Sequence, residues 1–427
     1  MRVTADPTAL LTPQGRELLA RLETTRAGNH LALAERLRRE YPADLVALAM
    51  AQQELRRTAE AKFSRAPDML FTRAGYEQSS SEAIARYRAA RLTAADLGEN
   101  IRVADLCCGI GGDLIALASS TQVVAVDRDE THARLALHNA AVYGEADRVT
   151  AVVADVRDVP LTGIDAVFID PARRSGPGTA SAAGAKRFRA GFSEPPLGWC
   201  ARLTETVQAV CVKAAPGIPE ELIPPGWEAE FIAEGRDLKE AVLWSPALAA
   251  ARPAASSGAA RDHRPAARRA TVLAAASPGH PAHAGTLLPH PGDPVPLREP
   301  GEYLLDPNPA VTRAGLVEDL ARDLAGNPAG DIAKIDPQIA FLTMDRLVAT
   351  PFARTLRVLH SAPWHEKQFA KRLRDLGIGA VDIRRRGLAG DVDQIRRRLK
   401  LSGKTRATVV ITRVNNQPWG LICADPS

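Results

Sequence analysis

At 427 residues the chain is too long for a single compact core, and roughly 150 residues per domain gives two or three. No apolar run reaches the roughly 18 to 20 residues of a membrane span, and Met1–Pro7 lacks the pattern of a signal peptide, so a soluble, cytoplasmic protein is expected. The net charge of +5 is uneven: residues 353–427 hold 16 Lys/Arg against 6 Asp/Glu, which leaves −5 on the rest, the asymmetry of a tail domain drawn to a polyanion.

From Thr12 to about Lys62 the leucines recur at helical spacing in three runs (Leu18, Leu19, Leu22; Leu31, Leu33, Leu37; Leu45, Leu48, Leu55), with Asp44 placed to cap the third. Residues 1–95 are expected to form a helical N-terminal segment whose plainest role is to pack on the next domain. Met69–Ser81 then leads into a helical run from Glu82, with Ser79–Ser81 as its cap, and is placed either to close over a cofactor or to serve as a connector. Residues 101–244 alternate apolar runs (Val103–Leu106, Val123–Val126, Val149–Val153, Ala166–Ile169, Val207–Val212, Ala241–Trp244) with helical patterns. Such alternation predicts an α/β domain over 96–274, a parallel sheet covered on both faces.

After Trp244 the chain is rich in Ala, Pro and Gly, broken by Arg269–Leu273; 245–267 reads as an excursion within a terminal hairpin and 275–302 as a linker. The remainder, 303–427, predicts a small α+β domain: helix Val311–Leu324, strand Thr355–Leu359, helix Trp364–Leu376, strand Ala380–Arg385, helix Val392–Leu399, strands Ala407–Val414 and Trp419–Cys423. Cys107, Cys108, Cys200, Cys211 and Cys423 contain no C-x-x-C pair, so neither a disulfide framework nor a metal site is expected.

The run Val103–Asp113 places Gly109, Gly111 and Gly112 between a strand and a helix, where glycines allow a tight turn and close approach of a ligand. Asp127 ends the second strand, where a carboxylate can accept both ribose hydroxyls, and Asp155 follows the third, where an acid can accept from an adenine amino group. With Asp105 on the first strand, acids stand at three successive strand ends, which points to a nucleoside. The fourth strand ends in Asp170-Pro171-Ala172-Arg173, an acid-Pro corner that dehydrogenases do not need.

This order resembles the motif series of class I methyltransferases with a Rossmann-like seven-stranded sheet, which implies S-adenosyl-L-methionine as cofactor. The blocks Cys108–Asp113, Val126-Asp127-Arg128-Asp129 and His138–Gly144 resemble the trimethylguanosine synthase family of RNA guanine-N2 methyltransferases, apart from its Ser-Pro-Pro-Trp corner. Through Phe71-Thr72-Arg73, Leu305–Ala310 and Ile383–Gly387 the whole chain resembles bacterial methyltransferases with a C-terminal THUMP-like domain, which implies an RNA partner. The resemblance places the donor on Asp105, Gly109, Gly111, Gly112, Asp127, Arg128 and Asp155. It makes Asp170 and Pro171 the catalytic corner that orients an exocyclic amine for in-line transfer.

Arg173 stands next to that corner, and Arg384, Arg385 and Arg386, Arg397 within a basic helix, and Lys404 make a basic surface suited to phosphates. The plain alternative is a solvated face. Residues 172–198, with Lys186, Arg187 and Arg189, read as a mobile substrate loop or as surface disorder. Rival readings are carbon methylation of uridine with Cys211 or Cys200 as nucleophile, an RNA-binding protein that keeps the pocket without catalysis, and a methyltransferase acting on a small molecule or protein.

Overall fold

In a computed structural model the described residues are 6–24, 30–180, 186–249, 268–274, 283–325, 331–388, 391–399 and 401–426. Most of the expected excursion, part of the expected linker and Lys400 lie outside them. The chain divides into two compact units: Met1–Glu230, Glu240–Ala267 and Leu273–His283 form the first, and Phe231–Lys239, Arg268–Val272 and Ala284–Ser427 the second.

In the first unit the strands are β1 (Arg102–Leu106), β2 (Gln122–Asp127), β3 (Val149–Val153), β4 (Ala166–Ile169), β5 (Ala209–Ala214), β6 (Glu228–Glu234) and β7 (Asp237–Trp244). They run side by side as β3-β2-β1-β4-β5-β7-β6, and Phe231–Lys239 of the β6–β7 hairpin is counted with the second unit. Their order is the expected Rossmann-like α/β arrangement, but the sheet they belong to has nine strands rather than the expected seven. The first five strands are parallel, and β7 runs antiparallel to β5 with Cys211 opposite Trp244, so the sheet is mixed at that side rather than wholly parallel. β1, β2, β4 and β5 are buried along almost their whole length, because helices cover both faces, and this is why they read as unbroken apolar runs.

Helices α1 (Pro13–Thr24), α2 (His30–Leu37), α3 (Ala43–Ala59), α4 (Arg73–Gln78) and α5 (Glu82–Thr93) precede the sheet. Leu18, Leu22, Leu37, Val46, Phe63, Met69 and Phe71 share one core with Ile110, Ile115 and Leu135, so these helices pack on α6 (Gly112–Ala118) and α7 (Glu130–Val142). Asp44 sits in the first turn of α3 rather than at its N-cap, which is Pro42; there its carboxylate still meets the positive end of the helix. Ser81 is the N-cap of α5 but makes no side-chain cap bond.

α5 is fastened to the sheet by two arginines, the buried Arg88 and the partly buried Arg91. Arg88 pairs with Asp113 and Glu240, and Arg91 pairs with Glu228 at 2.5 Å and with Glu230 while covering the Trp244 ring at 4.1 Å. These partners explain why β6 was not anticipated. Its Glu228, Glu230 and Glu234 look solvated in sequence, yet Glu228 and Glu230 are buried against Arg91 of α5.

Residues 172–194, expected to be a loop, contain a two-stranded antiparallel ribbon, Ala172–Ala180 and Lys186–Glu194, ahead of α8 (Leu197–Arg202).

β8 (Arg268–Leu273) pairs with β9 (His283–Leu287). The second unit is built on the sheet order β11-β12-β10-β13-β16-β15-β14, with β10 (Tyr303–Pro307), β11 (Ile332–Lys334), β12 (Leu342–Met344), β13 (Ala353–Pro363), β14 (Ile378–Arg385), β15 (Thr405–Val414) and β16 (Gln417–Ala424). It is antiparallel except for the β14–β15 pair. The helix expected over 311–324 is two, α9 (Pro309–Ala314) and α10 (Val317–Ala325), separated by Gly315 at φ +74°. The helices α11 (Glu366–Asp375) and α12 (Val392–Leu399) pack through Phe369, Leu373, Ile395 and Leu399 into a core with Val409 and Ile422. This is the expected small α+β domain.

Candidate functional site

The carboxyl ends of β1 to β5 surround a cavity of about 680 Å³ in the first unit, within the range of small-molecule sites. Asp105, Gly109, Gly112, Asp127, Arg128, Asp155, Asp170 and Pro171 line it, and so do Gly75, Gln78 and Ser79 from the segment around α4. Gly111 does not line it.

The turn after β1 explains the glycines. Cys107, Gly109 and Gly111 have φ of +64°, +53° and +86°. A Cβ on Gly109 would meet nothing within 4 Å, whereas one on Gly111 would press on the Ala136 backbone at 3.0 Å. Gly109 therefore opens the turn to the cavity, and Gly111 lets α6 start against α7.

Four carboxylates in the cavity are held in different ways. Asp105 is 1% exposed and neither of its oxygens has a hydrogen-bond partner. Burial, then the charges of Asp113, Asp170 and Asp127, push its carboxyl well above the ordinary range. Asp127 accepts the N–H of Gly109 through Oδ2 and that of Asp129 through Oδ1, both at 2.9 Å. Burial works against its charge, but His132, 3.7 Å away, and the two N–H donors bring it below its usual value. The same contact raises His132.

Asp155 is clasped by Arg157, with Nε to Oδ1 at 2.8 Å and Nη2 to Oδ2 at 2.7 Å, which lowers its carboxyl to about 2. Arg157 also reaches Glu194 at the end of the ribbon, at 3.1 Å. The fourth carboxylate, Asp170, receives the Lys213 ammonium on Oδ2 at 2.6 Å. Lys213 is 6% exposed. Burial opposes its charge, and Asp170 with Asp113 and Glu240 outweighs it, so the ammonium persists.

Lys213, Arg157 and His132 escaped the sequence reading. Only Lys213 left a trace, as the single charge at the end of the apolar run Ala209–Val212. Cys211 is fully buried with its thiol pushed up by burial, and Cys200 is buried and pushed up to about 12, so neither is poised as a nucleophile. Among the described residues no group of His, Cys, Asp and Glu could hold a metal ion, and no helix is long and apolar enough to cross a membrane.

Arg173 is the second residue of the ribbon, but its side chain and those of Lys186, Arg187 and Arg189 lie outside the described residues. In the second unit Arg384 and Arg386 converge on the buried Asp306, at 2.6 and 3.1 Å. Arg385 turns instead to the Leu388 carbonyl at 2.8 Å. Arg397 is exposed on α12, and Lys404 is exposed ahead of β15.

Comparison with known proteins adds three findings. Residues 101–205 match the RNA cap guanine-N2 methyltransferase family model, residues 353–425 the THUMP domain-like model, and residues 4–59 a domain of unknown function. Two S-adenosylmethionine-dependent methyltransferases of Mycobacterium tuberculosis, from strains CDC 1551 and H37Rv and both described as uncharacterized, are each 35% identical over 356 residues, 81% of this chain and 85% of theirs. A structure from Porphyromonas gingivalis W83 described as a methyltransferase superposes with a TM-score of 0.66 over 90% of this chain and 91% of its own, at 17% identity, and shows the common fold.

Proposed function

The chain belongs to the S-adenosylmethionine-dependent methyltransferases, and from that premise we propose that it methylates an exocyclic amine of a base in RNA. When bound, S-adenosylmethionine supplies an electrophilic methyl group on a sulfonium. The cavity fits that donor. Asp105 has two buried oxygens without partners, Gly109 leaves open space where a side chain would stand, and Asp127 is kept ionised as an acceptor. Asp127 would take the ribose hydroxyls, the Gly109–Gly112 turn with Arg128 and Asp105 the remainder of the donor, and Asp155 the adenine side.

The target amine is assigned to Asp170 and Pro171. A carboxylate whose Oδ2 is already fixed by a buried ammonium cannot swing away from the cavity. It and the Pro171 carbonyl offer acceptors only. An amine donating N–H bonds to both keeps its lone pair directed into the cavity, so orientation supplies most of the acceleration and no enzyme nucleophile is required. Arg173 is placed by sequence to contact the base, and Arg384, Arg385, Arg386, Arg397 and Lys404 are assigned to the RNA backbone. We read 96–274 as the methyltransferase domain and 303–427 as the RNA-binding, THUMP-like domain.

The observation that carries this reading is the Asp170–Lys213 pair on the wall of the cavity that Asp105, Asp127 and Asp155 also line. The test is mass spectrometry of RNA nucleosides from cells with and without the gene. One methylated nucleoside should vanish and return with the wild-type gene, but not with the Asp170→Ala form. An unchanged nucleoside profile would reject RNA as the substrate.

A further inference from the structure

Two motifs of the second unit that the transfer step does not use meet at one carboxylate. Asp306, in the run Leu305–Ala310, is 1% exposed. Its Oδ2 accepts from Arg236 Nη2 at 2.9 Å and from Arg384 Nη1 at 2.6 Å, and its Oδ1 lies 3.1 Å from Arg386 Nη2. Asn308, two residues on, donates to the Gly235 carbonyl at 2.8 Å and so fixes the hairpin tip that carries Arg236. Arg386 lies over the Phe341 ring at 4.8 Å.

The charges at this point do not balance. Three guanidiniums face one buried carboxylate; Asp382 adds a second, but it is 46% exposed and 3.4 Å from Arg384 Nε. Burial, together with the charges of Arg384, Arg354 and Arg386, pulls Arg236 below its usual value. Like charges held this close repel unless an anion joins them. Arg236, Arg384 and Arg386 remain 35, 32 and 32% exposed, so each side chain is partly open to solvent. Planar forks with surplus positive charge are the usual recognition surface for phosphate.

We propose that Arg236, Arg384 and Arg386, aligned by Asp306, form a phosphate-binding site of the second unit that takes a phosphodiester of the RNA. This rests on the proposed RNA substrate and adds Arg236, which no sequence motif marked.

The experiment uses the full chain and its Arg236→Gln, Arg384→Gln and corresponding Lys variants. Thermal melting is followed with inorganic phosphate against chloride at equal ionic strength, and binding of bulk bacterial tRNA is followed across a salt series. Phosphate should raise the Tm of the wild type and raise it less in the Gln variants. Each Gln change should flatten the slope of log affinity against log salt by about one. The Lys variants should keep the slope but bind several-fold more weakly, because the fork is lost.

Folded Gln variants with wild-type slope and wild-type phosphate response would make the cluster purely structural and overturn the site. If the Gln variants do not fold, Lys variants with unchanged affinity for tRNA overturn it equally. Methyl transfer to RNA alongside either result would leave the proposed reaction standing. A phosphate response lost in the variants of a chain that transfers no methyl to RNA would keep the site and reject the reaction.

Discussion

The Lys213 ammonium lies 2.6 Å from Oδ2 of Asp170, joining the carboxyl ends of β5 and β4. The register explains the contact: Ile169 stands opposite Val212 in the parallel pair, so the next residue on each strand emerges at the same edge. One of the two is an acceptor facing the cavity, and the other is a buried cation that holds it there.

Replacing Lys213 by Met should therefore lower kcat by roughly 10- to 100-fold while the donor Kd stays within about threefold, since the lysine acts through Asp170. Stability should fall by about 1–2 kcal/mol, less than for a wholly buried pair, because Asp170 is 30% exposed. Lys213→Arg should recover much of the turnover. A purely structural lysine would move stability alone and leave kcat intact.

Asp170→Asn preserves size and leaves an oxygen for Lys213, so it isolates the carboxylate. Transfer to RNA should drop by about 10²-fold or more with donor binding largely kept, read by calorimetry with the donor and by methyl incorporation. Parallel loss of donor affinity would relocate Asp170 to the donor side of the cavity.

Gly109 and Gly111 separate conformation from contact. Both need positive φ, which costs an alanine about 1–2 kcal/mol, but only at Gly111 does the new Cβ also press on backbone, that of Ala136 at 3.0 Å. Gly111→Ala should thus lose more stability in urea unfolding than Gly109→Ala. Gly109→Ala should weaken donor binding more than its stability loss suggests, because its Cβ enters the cavity wall. Equal donor affinities in the folded variants would argue against a donor beside Gly109.

How much of this was legible depends on sequence separation. β1, β2, β4, β5 and the Gly–Asp turn were visible because strands covered on both faces read as apolar runs and the turn is local. β6 was hidden because Glu228 and Glu230 pair with Arg91, which lies on α5, far back in the chain. Lys213 and Asp170 are 43 residues apart, and Arg236 and Asp306 are 70 apart. Only strand register or a hairpin tip brings such pairs together, and neither leaves a spacing to read. The single helix expected over 311–324 failed for a local reason, since Gly315 adopts a left-handed conformation that ends α9.

Cys200 and Cys211 give a test of the rival carbon-methylation chemistry. Both are buried and their thiols are pushed up, so Cys200→Ser and Cys211→Ala should retain turnover within about twofold, with a stability cost of about 1–2 kcal/mol at Cys211 from the space left behind. Loss of transfer in a folded variant would restore a covalent mechanism.

The Asp127–His132 contact should make stability depend on pH with a definite sign. The folded-state value of His132 is raised above 6.5, so its contribution is complete below that pH and fades as pH climbs through the raised value. Asp127 is depressed below 3.8, so its contribution is complete above that pH and fades only as pH falls through the lowered value. Both groups are charged together between these limits, and there the pair stabilises most. His132→Gln should therefore destabilise the protein more at pH 5.5 than at pH 8.5 in urea unfolding. Donor binding at pH 8.5 should survive the change, because the Gly109 and Asp129 N–H groups still hold Asp127 as an acceptor. An equal loss of stability at both pH values would mean that His132 contributes packing and not charge.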